Sequence, residues 1–443
     1  MKKSMKLKGL LFLLAIGAVL PLSAQDDKAS VEKPYRRSSL HTILLKSSTD
    51  FLNKELVINA YNLAPFPDKY NDHRIAETSF NREDYTDKEA IEAAMEASAE
   101  ADSEKTKDKK KADKKKNGKK SDIQTTIAIK EYLNKKRVAN QLVAKWFNRK
   151  EDGAFDMGLI HERGSYDASA MAAQVAKGSI RGVAMLKDAG EELISKTFVV
   201  VNKMKFVENE PIAYAIKEIA LASASQIPNA IARQVAEAAA EAVYVATKDG
   251  YSVWTTSYLF QLEWNDDVAN KFYMEMWMDS TSLDENRKML FDTTNIFKLN
   301  YLGYEKAKSL VLIGVGKELK DIIQLATIRN VDKVYTKLQK SYDVFKTKTP
   351  IYSVDPIVAK IGLKEALEPG DKFDVLEQVY DKKTGLTKYD VVATIKVDKK
   401  NIWDNRYNME SVEKIAENAK LVGTEFKGGG KKIMPGMLLR QVK

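Results

Sequence analysis

Apolar and polar positions alternate most regularly between Tyr251 and Trp264. Trp254, Tyr258, Phe260, Leu262 and Trp264 fall on one side of an extended chain, and Thr255, Ser257, Gln261 and Glu263 on the other. That period of two predicts a strand. Asn265-Asp266-Asp267 then offers turn chemistry, and residues 271–278 are expected to return as the partner strand of a hairpin. A β-branched and aromatic run over 197–207 predicts a strand buried on both faces, and 309–315 predicts another.

Helical spacing governs much of the remainder. Ile129, Leu133, Leu142, Val143 and Trp146 recur at helical intervals, with Asp152-Gly153 closing the segment. Ser121 and Gln124 have the spacing of a capping box, which predicts a helix start near Asp122. A helix is predicted over 180–195. Residues 212–247 are Ala-rich and interrupted at Pro228; a compact helix is expected over 231–246, with its small side chains packed tightly in the core. The run 317–345, carrying Leu319, Ile322, Ile323, Ala326, Val334 and Leu338, predicts a long helix stopped by Thr349-Pro350.

Nearer the amino terminus, 40–45 and 56–58 are of strand length, Pro65-Phe66-Pro67-Asp68 breaks regular structure, and 89–100 has helical composition. After residue 346 the pattern changes to short strands punctuated by Gly and Pro. Strands are predicted over 372–380 and 386–397, joined by a turn over 381–385, and a last one over 437–442. Phe373, Val375, Leu376, Val391, Ile395, Trp403, Phe426, Met437 and Leu439 are the expected core of that region. The fold class that follows is α+β: an α/β domain with a mixed sheet and long helices, followed by a small C-terminal β-barrel. The domain plan is a signal peptide over 1–24, an N-terminal segment with short strands over 25–98, a Lys-rich flexible linker or loop over 99–121, the α/β domain over 122–345 and the barrel over 346–443.

Lys2, Lys3, Lys6 and Lys8 precede an apolar stretch over 10–20, and Ala24 offers a small residue for cleavage. This order of segments predicts export, with the mature chain beginning at Gln25. Eleven apolar residues are too few to span a bilayer roughly 30 Å thick, so no membrane span is expected in the mature chain. The expected address is the periplasm or another envelope-associated site. With no Cys in the 443 residues, a disulfide framework, a thiol nucleophile and a lipid-modified cysteine are excluded.

The formal charge of +10 suggests nucleic acid until its origin is located. Four lysines lie in the signal, and residues 105–120 hold ten Lys against two Asp, so the rest of the chain is close to neutral. That run has no aromatic residue for base stacking, and export removes the chain from nucleic acid. Lys105 to Lys120 offers weak attraction to anionic surfaces.

His161-Glu162 opens a zinc-protease pattern, but Ser165 stands where the second His is needed. Asp68, Asp72 and His73 gather metal-ligand types in one loop, without the acid spacing of a calcium site, and a turn held by Asp and Asn side chains explains them as well. Gly314-Val315-Gly316-Lys317 lacks the first Gly and the Ser or Thr of a phosphate loop. In Gly178-Ser179-Ile180-Arg181-Gly182 the Ser directly follows the first Gly, unlike a nucleophile elbow. Asp156, His161, Glu162, Arg163 and Asp167 cluster around Gly164, with Asp188, Glu191 and Glu192 in the following helix; Asp156, Glu162, Asp188 and Glu191 are the candidate catalytic carboxylates, because glycoside hydrolysis needs an acid and a second carboxylate at a set separation. A solvated charge network is the alternative. Likewise Trp254, Tyr258 and Trp264 form either a sugar platform or part of the core. No cofactor is expected.

Two stretches, FDMGLIHERG with DAGEELISKTFVVVN and AKIGLKEALEPGDKFDVLEQV with IWDNRY, resemble an uncharacterised family of exported proteins from Gram-negative bacteria. The resemblance implies export and supplies no activity. The helix-to-strand pattern over 154–207 is similar to the CsgG/TolB type of periplasmic α/β domain, and the C-terminal region is similar to small barrels of flagellar-assembly accessory proteins. CsgG-type pores are lipoproteins, and this chain has no Cys to acylate. The function expected is a non-enzymatic cell-envelope interaction or assembly protein, with envelope proteins as partners. The alternatives are a carbohydrate-active hydrolase using an Asp/Glu pair and a carrier of an apolar ligand beneath the aromatic hairpin.

Overall fold

The computed structural model describes residues 36–46, 51, 53–85, 112–167, 192–312, 318–380, 387–407 and 421–442. The expected signal, the helix over 89–100, all but the end of the helix over 180–195 and the turn over 381–385 lie outside the described residues.

The N-terminal segment is not a separate unit. β1 (Ser39–Lys46) enters the main sheet parallel to the later strand β4 (Thr197–Glu208), with Ser39 opposite Thr197 and Leu45 opposite Lys203. Alternation explains this placement, since Leu40 and Leu44 bury on one face and Ile43 and Leu45 on the other. The expected strand over 56–58 lies instead in helix α1 (Lys54–Asn62), where Val57 and Ala60, three apart, bury one helical face. The short strands β2 (Asn71–Asp72) and β3 (Ser79–Asn81) both pair with β1.

Helix α2 (Ala112–Lys135) begins inside the expected lysine linker, not near Asp122. Lys and Ala are good helix formers and the run contains no Pro, so the capping-box residue Ser121 lies within the helix. Arg137, at φ 50, separates α2 from α3 (Val138–Trp146). α4 (Gly158–Asp167) follows.

Between β4 and β5 (Gly250–Leu262) stand two helices, α5 (Glu210–Ala224) and α6 (Ala230–Lys248). β5 runs antiparallel to β4, but the chain after β5 does not return as a strand. Asn265 Oδ1 accepts from the Val268 N–H at 3.0 Å and caps α7 (Asp266–Lys271), which continues as a π-helical turn over Phe272–Met276. Phe272 and Met276, four apart, are both buried, so helical spacing overrides the expected alternation. After α8 (Glu285–Thr293), the true partner β6 (Leu299–Leu312) starts ten residues before the expected strand and pairs with β5 along its whole length. Its start carries Asn300, Glu305, Lys306 and Lys308 among its apolar positions, which hid it.

The sheet order is β2-β1-β4-β5-β6, with β3 also on β1. One face packs against α2, α3, α4 and the 266–293 region around Trp146, Phe147, Phe155 and Phe272. The other packs against α1 and the long helix α9 (Leu319–Ser341), which buries Ile323, Ala326, Val334 and Leu338. Asn330 of α9 donates to the Val253 carbonyl at 2.6 Å and fastens the helix to β5.

A closed barrel follows, built from β7 (Thr349–Val354), β8 (Ile357–Ala359), β9 (Lys372–Tyr380), β10 (Thr387–Val397), β11 (Thr424–Gly428) and β12 (Leu438–Gln441), in the order β10-β11-β8-β7-β12-β9. Phe373, Val375, Leu376, Ile395, Phe426 and Leu439 are buried as expected. Val391, expected in this core, is not buried: a register shift between Val391 and Ala393 turns it outward, leaving it 55% exposed. Trp403 and Met437 are only partly covered.

Candidate functional site

Two sequence candidates meet in space, though not as a catalytic pair. Arg163 of α4 and His73 of the β2 loop are both buried, and Arg163 Nη1 donates to His73 Nδ1 at 3.0 Å. Arg163 also donates to Ser39 Oγ at 2.8 Å and the Asp72 carbonyl at 3.1 Å, and its guanidinium lies 4.5 Å from the Trp146 ring centre. His73 Nε2 donates to the Leu142 carbonyl at 2.9 Å. Both ring nitrogens are therefore engaged, so His73 has no lone pair left for a metal. Burial, and after it the charge of Arg163, holds the His73 ring well below its ordinary pKa. Burial pushes His41, which donates to the Glu77 carbonyl at 3.0 Å, down to about 4. This knot ties the β1 end of the sheet to α3 and α4.

The remaining candidates are dispersed. Asp156 Oδ1 accepts from Asn148 Nδ2 and from the Gly158 N–H, both at 2.8 Å, and so holds the start of α4. Those bonds, Asn148 first, lower its pKa. Glu162 is exposed on α4. Asp188 and Glu191 lie outside the described residues, as do Gly314-Val315-Gly316-Lys317 and Gly178-Ser179-Ile180-Arg181-Gly182. Asp72 pairs with Arg74 at 2.6 Å, and Asp68 with Lys364 at 3.1 Å. Burial raises both carboxyls, but their cationic partners outweigh it and hold them low. No group of three metal-ligating side chains occurs among the described residues.

The aromatic face is divided as well. Tyr258 is fully buried, Trp264 packs against Phe147 and Phe297, and Trp254 alone stands out, 44% exposed beneath Lys308. Core packing thus takes Tyr258 wholly and Trp264 in part, and leaves Trp254 on the surface.

At the junction of α9 and the barrel lies a cavity of about 320 Å³, floored by Ile361, Leu367, Phe373 and Leu439. Its polar rim is engaged internally: Lys346 pairs with Asp343 at 2.7 Å, and Gln441 donates to Asp371 at 3.2 Å. Nearby, burial raises Asp332 of α9 to about 6 against the attraction of Lys364.

The exposed apolar surface is concentrated on α5 and α6. Only Ala213, Ala224 and Ala240 are buried within these helices, which correct the expected core helix over 231–246. Ile219 is 68% exposed, Ile231 76% and Val235 65%. Ile212, Ile216 and Ile219 recur at i, i+4 and i+7 on α5, and Ile231, Val235, Ala239 and Val243 at steps of four on α6. Ile216, Ala220 and Ile227 share one shallow hollow with Ala236, Ala239 and Val243, so the two stripes belong to the same side of the hairpin. Glu218, Arg233, Glu237 and Glu241 fall outside these stripes, and Glu241 is bound by Lys217 at 2.6 Å. In an ordinary surface helix the apolar stripe faces the core; here it faces solvent. The sequence held one signal of this: residues 219–232 carry no charge around the Pro228 turn.

No helix among the described residues is long and apolar enough to cross a membrane. No protein-family model matches the chain, and no curated protein is significantly similar to it.

Proposed function

We propose that this chain is an exported cell-envelope protein that acts without catalysis, as an interaction or assembly module. The observation that carries the reading is the α5–α6 hairpin, which stands between two neighbouring strands and turns an uncharged apolar stripe to solvent. A contiguous exposed surface of that kind marks a protein contact, since water alone leaves it at a cost of about 25 cal/mol per Å². Three of the described carboxylate candidates support the same reading, because Asp156, Asp72 and Asp68 each serve a cap or an ion pair.

A photocrosslinking side chain placed at Ile231 of the full chain in cells tests it. Discrete adducts in the envelope fraction are expected from Ile231 and not from Glu218, on α5 outside the stripe. Absence of adducts from Ile231 removes the reading. N-terminal mass spectrometry tests export, and an intact Met1 on the cellular protein refutes it.

A further inference from the structure

We infer that the partner covering the apolar face of the α5–α6 hairpin is a second copy of this chain, the two hairpins meeting face to face as a four-helix bundle. The inference rests on the reading of that hairpin as a contact surface, and it names the occupant.

The shape of the surface is the first argument. Two helices form one layer, and a layer with one apolar side is complete only when another layer covers it. An identical hairpin related by a two-fold axis supplies such a layer, because an isologous contact needs only a self-complementary patch. The patch has that property. Its centre is built mainly of Ile, Val and Ala, and the charged side chain that lines it, Lys217, is neutralised by Glu241 of the same hairpin at 2.6 Å. The alanines at 220, 236 and 239 make a hollow beside the larger side chains of Ile216 and Val243, which is the alternation that lets helices interdigitate closely.

Area is the second argument. The arms of 15 and 19 residues are about 22 and 28 Å long, and two helices abreast are about 20 Å wide. Each copy thus offers about 500 Å², and a facing pair covers about 1,000 Å², the least that a specific protein contact buries and short of the roughly 1,200 Å² where stable ones begin, so the dimer is weak and concentration-dependent.

Charge separates this partner from a lipid surface. The hairpin carries Lys217, Arg233 and Lys248 against Glu210, Glu218, Glu237 and Glu241. Helices that lie on anionic membranes are rich in Lys and Arg on the polar side and in Trp, Phe or Leu on the other. This hairpin is slightly acidic, and its apolar stripe has no Trp or Phe.

The test uses the full chain, whose lack of Cys makes any introduced thiol unique. Sedimentation equilibrium of the wild type is expected to show a concentration-dependent dimer. The Ile231→Glu, Val235→Glu double variant is expected to weaken it at least tenfold with unchanged circular dichroism, since both positions are solvent-exposed in one copy. A short bis-maleimide should join two copies of Val235→Cys and not of Glu237→Cys. A wild type that remains monomeric to about 100 μM overturns the inference, as does a dimer untouched by the double variant. Cosedimentation with phosphatidylglycerol vesicles that the double variant abolishes also overturns it, by assigning the face to lipid. If the chain is monomeric while Ile231 still crosslinks to a different envelope protein, the partner named here is wrong and the proposed function stands. If neither contact forms, both fail.

Discussion

Arg163 donates to His73 Nδ1 across 3.0 Å, joining two residues that stand ninety positions apart. The bond requires a neutral imidazole, and His41 nearby is likewise buried and neutral at pH 7. Both folded pKa values lie below the ordinary 6.5, so the unfolded chain takes up protons first as pH falls. The stabilising contribution is complete above 6.5. For His41 it is lost between 6.5 and about 4, at up to about 1.4 kcal/mol per pH unit. Urea melts at pH 7.5, 6.0 and 5.0 should show this slope, and His41→Gln should flatten it. An unchanged slope in the variant refutes the assignment.

Asp332 acts in the opposite sense. Its folded pKa of about 6 exceeds the ordinary 3.8, so holding it ionised costs stability above pH 6 and the cost disappears as pH falls toward 3.8. Asp332→Asn should therefore stabilise the protein by about 1–3 kcal/mol at pH 7.5 and by little at pH 4. A destabilised variant at pH 7.5 would show that the attraction of Lys364 outweighs the burial.

Trp146 Nε1 donates to Thr197 Oγ1 at 2.7 Å, with both residues fully buried between α3 and β4. Thr197→Val keeps the shape and leaves the indole N–H without its acceptor. A loss of about 1–3 kcal/mol is expected in urea denaturation, with far-ultraviolet circular dichroism preserved. A loss below 0.5 kcal/mol, on the order of a surface change, would mean that water replaces the hydroxyl.

Gly303 sits at the irregular pairing of β5 and β6 with φ 149, and a side chain there would run into the hydroxyl of Tyr342. Gly303→Ala should cost about 1–3 kcal/mol through both strain and overlap. Adding Tyr342→Ala should recover the overlap part in a double-mutant cycle; simple additivity would contradict it.

The barrel closes with its own six strands, and its core from Ile351 to Leu439 draws on no residue before 349. A fragment spanning 346–443 is expected to show β-type circular dichroism and one cooperative melt, though a domain of about a hundred residues has only a small reserve of stability. A soluble but unfolded fragment would make the contacts of Lys364 and Thr336 with their neighbours essential to closure.

Where one physical signal dominated locally, the sequence was sufficient. The β-branched run became β4, the 317–345 periodicity became α9, and the alternating face of β5 emerged with Tyr258, Phe260 and Leu262 buried together. The barrel was visible through its strands at 372–380 and near 437–442, because short alternating runs between Gly and Pro have few other stable uses. Two of its strands, β8 and β11, are only 3 and 5 residues long, too short to declare a period.

Tertiary structure decided the rest, for reasons of partnership. β1 belongs to the main sheet because Val199 and Val201 give Ile43 neighbours more than 150 residues away, a pairing that no local pattern encodes. The 271–278 segment winds as a helix because Phe272 and Met276 find the aromatic floor of Phe147, Phe155 and Phe291. Arg163 and His73 belong to two separate polar clusters in the sequence, and only folding made each satisfy the other. The α5–α6 hairpin shows the same division most plainly. Its composition determined that it would be helical, apolar and broken at Pro228, but apolar periodicity reads identically whether the stripe meets a core or water. Only the placement of the hairpin, packed chiefly against itself, decided that this stripe would be left facing solvent.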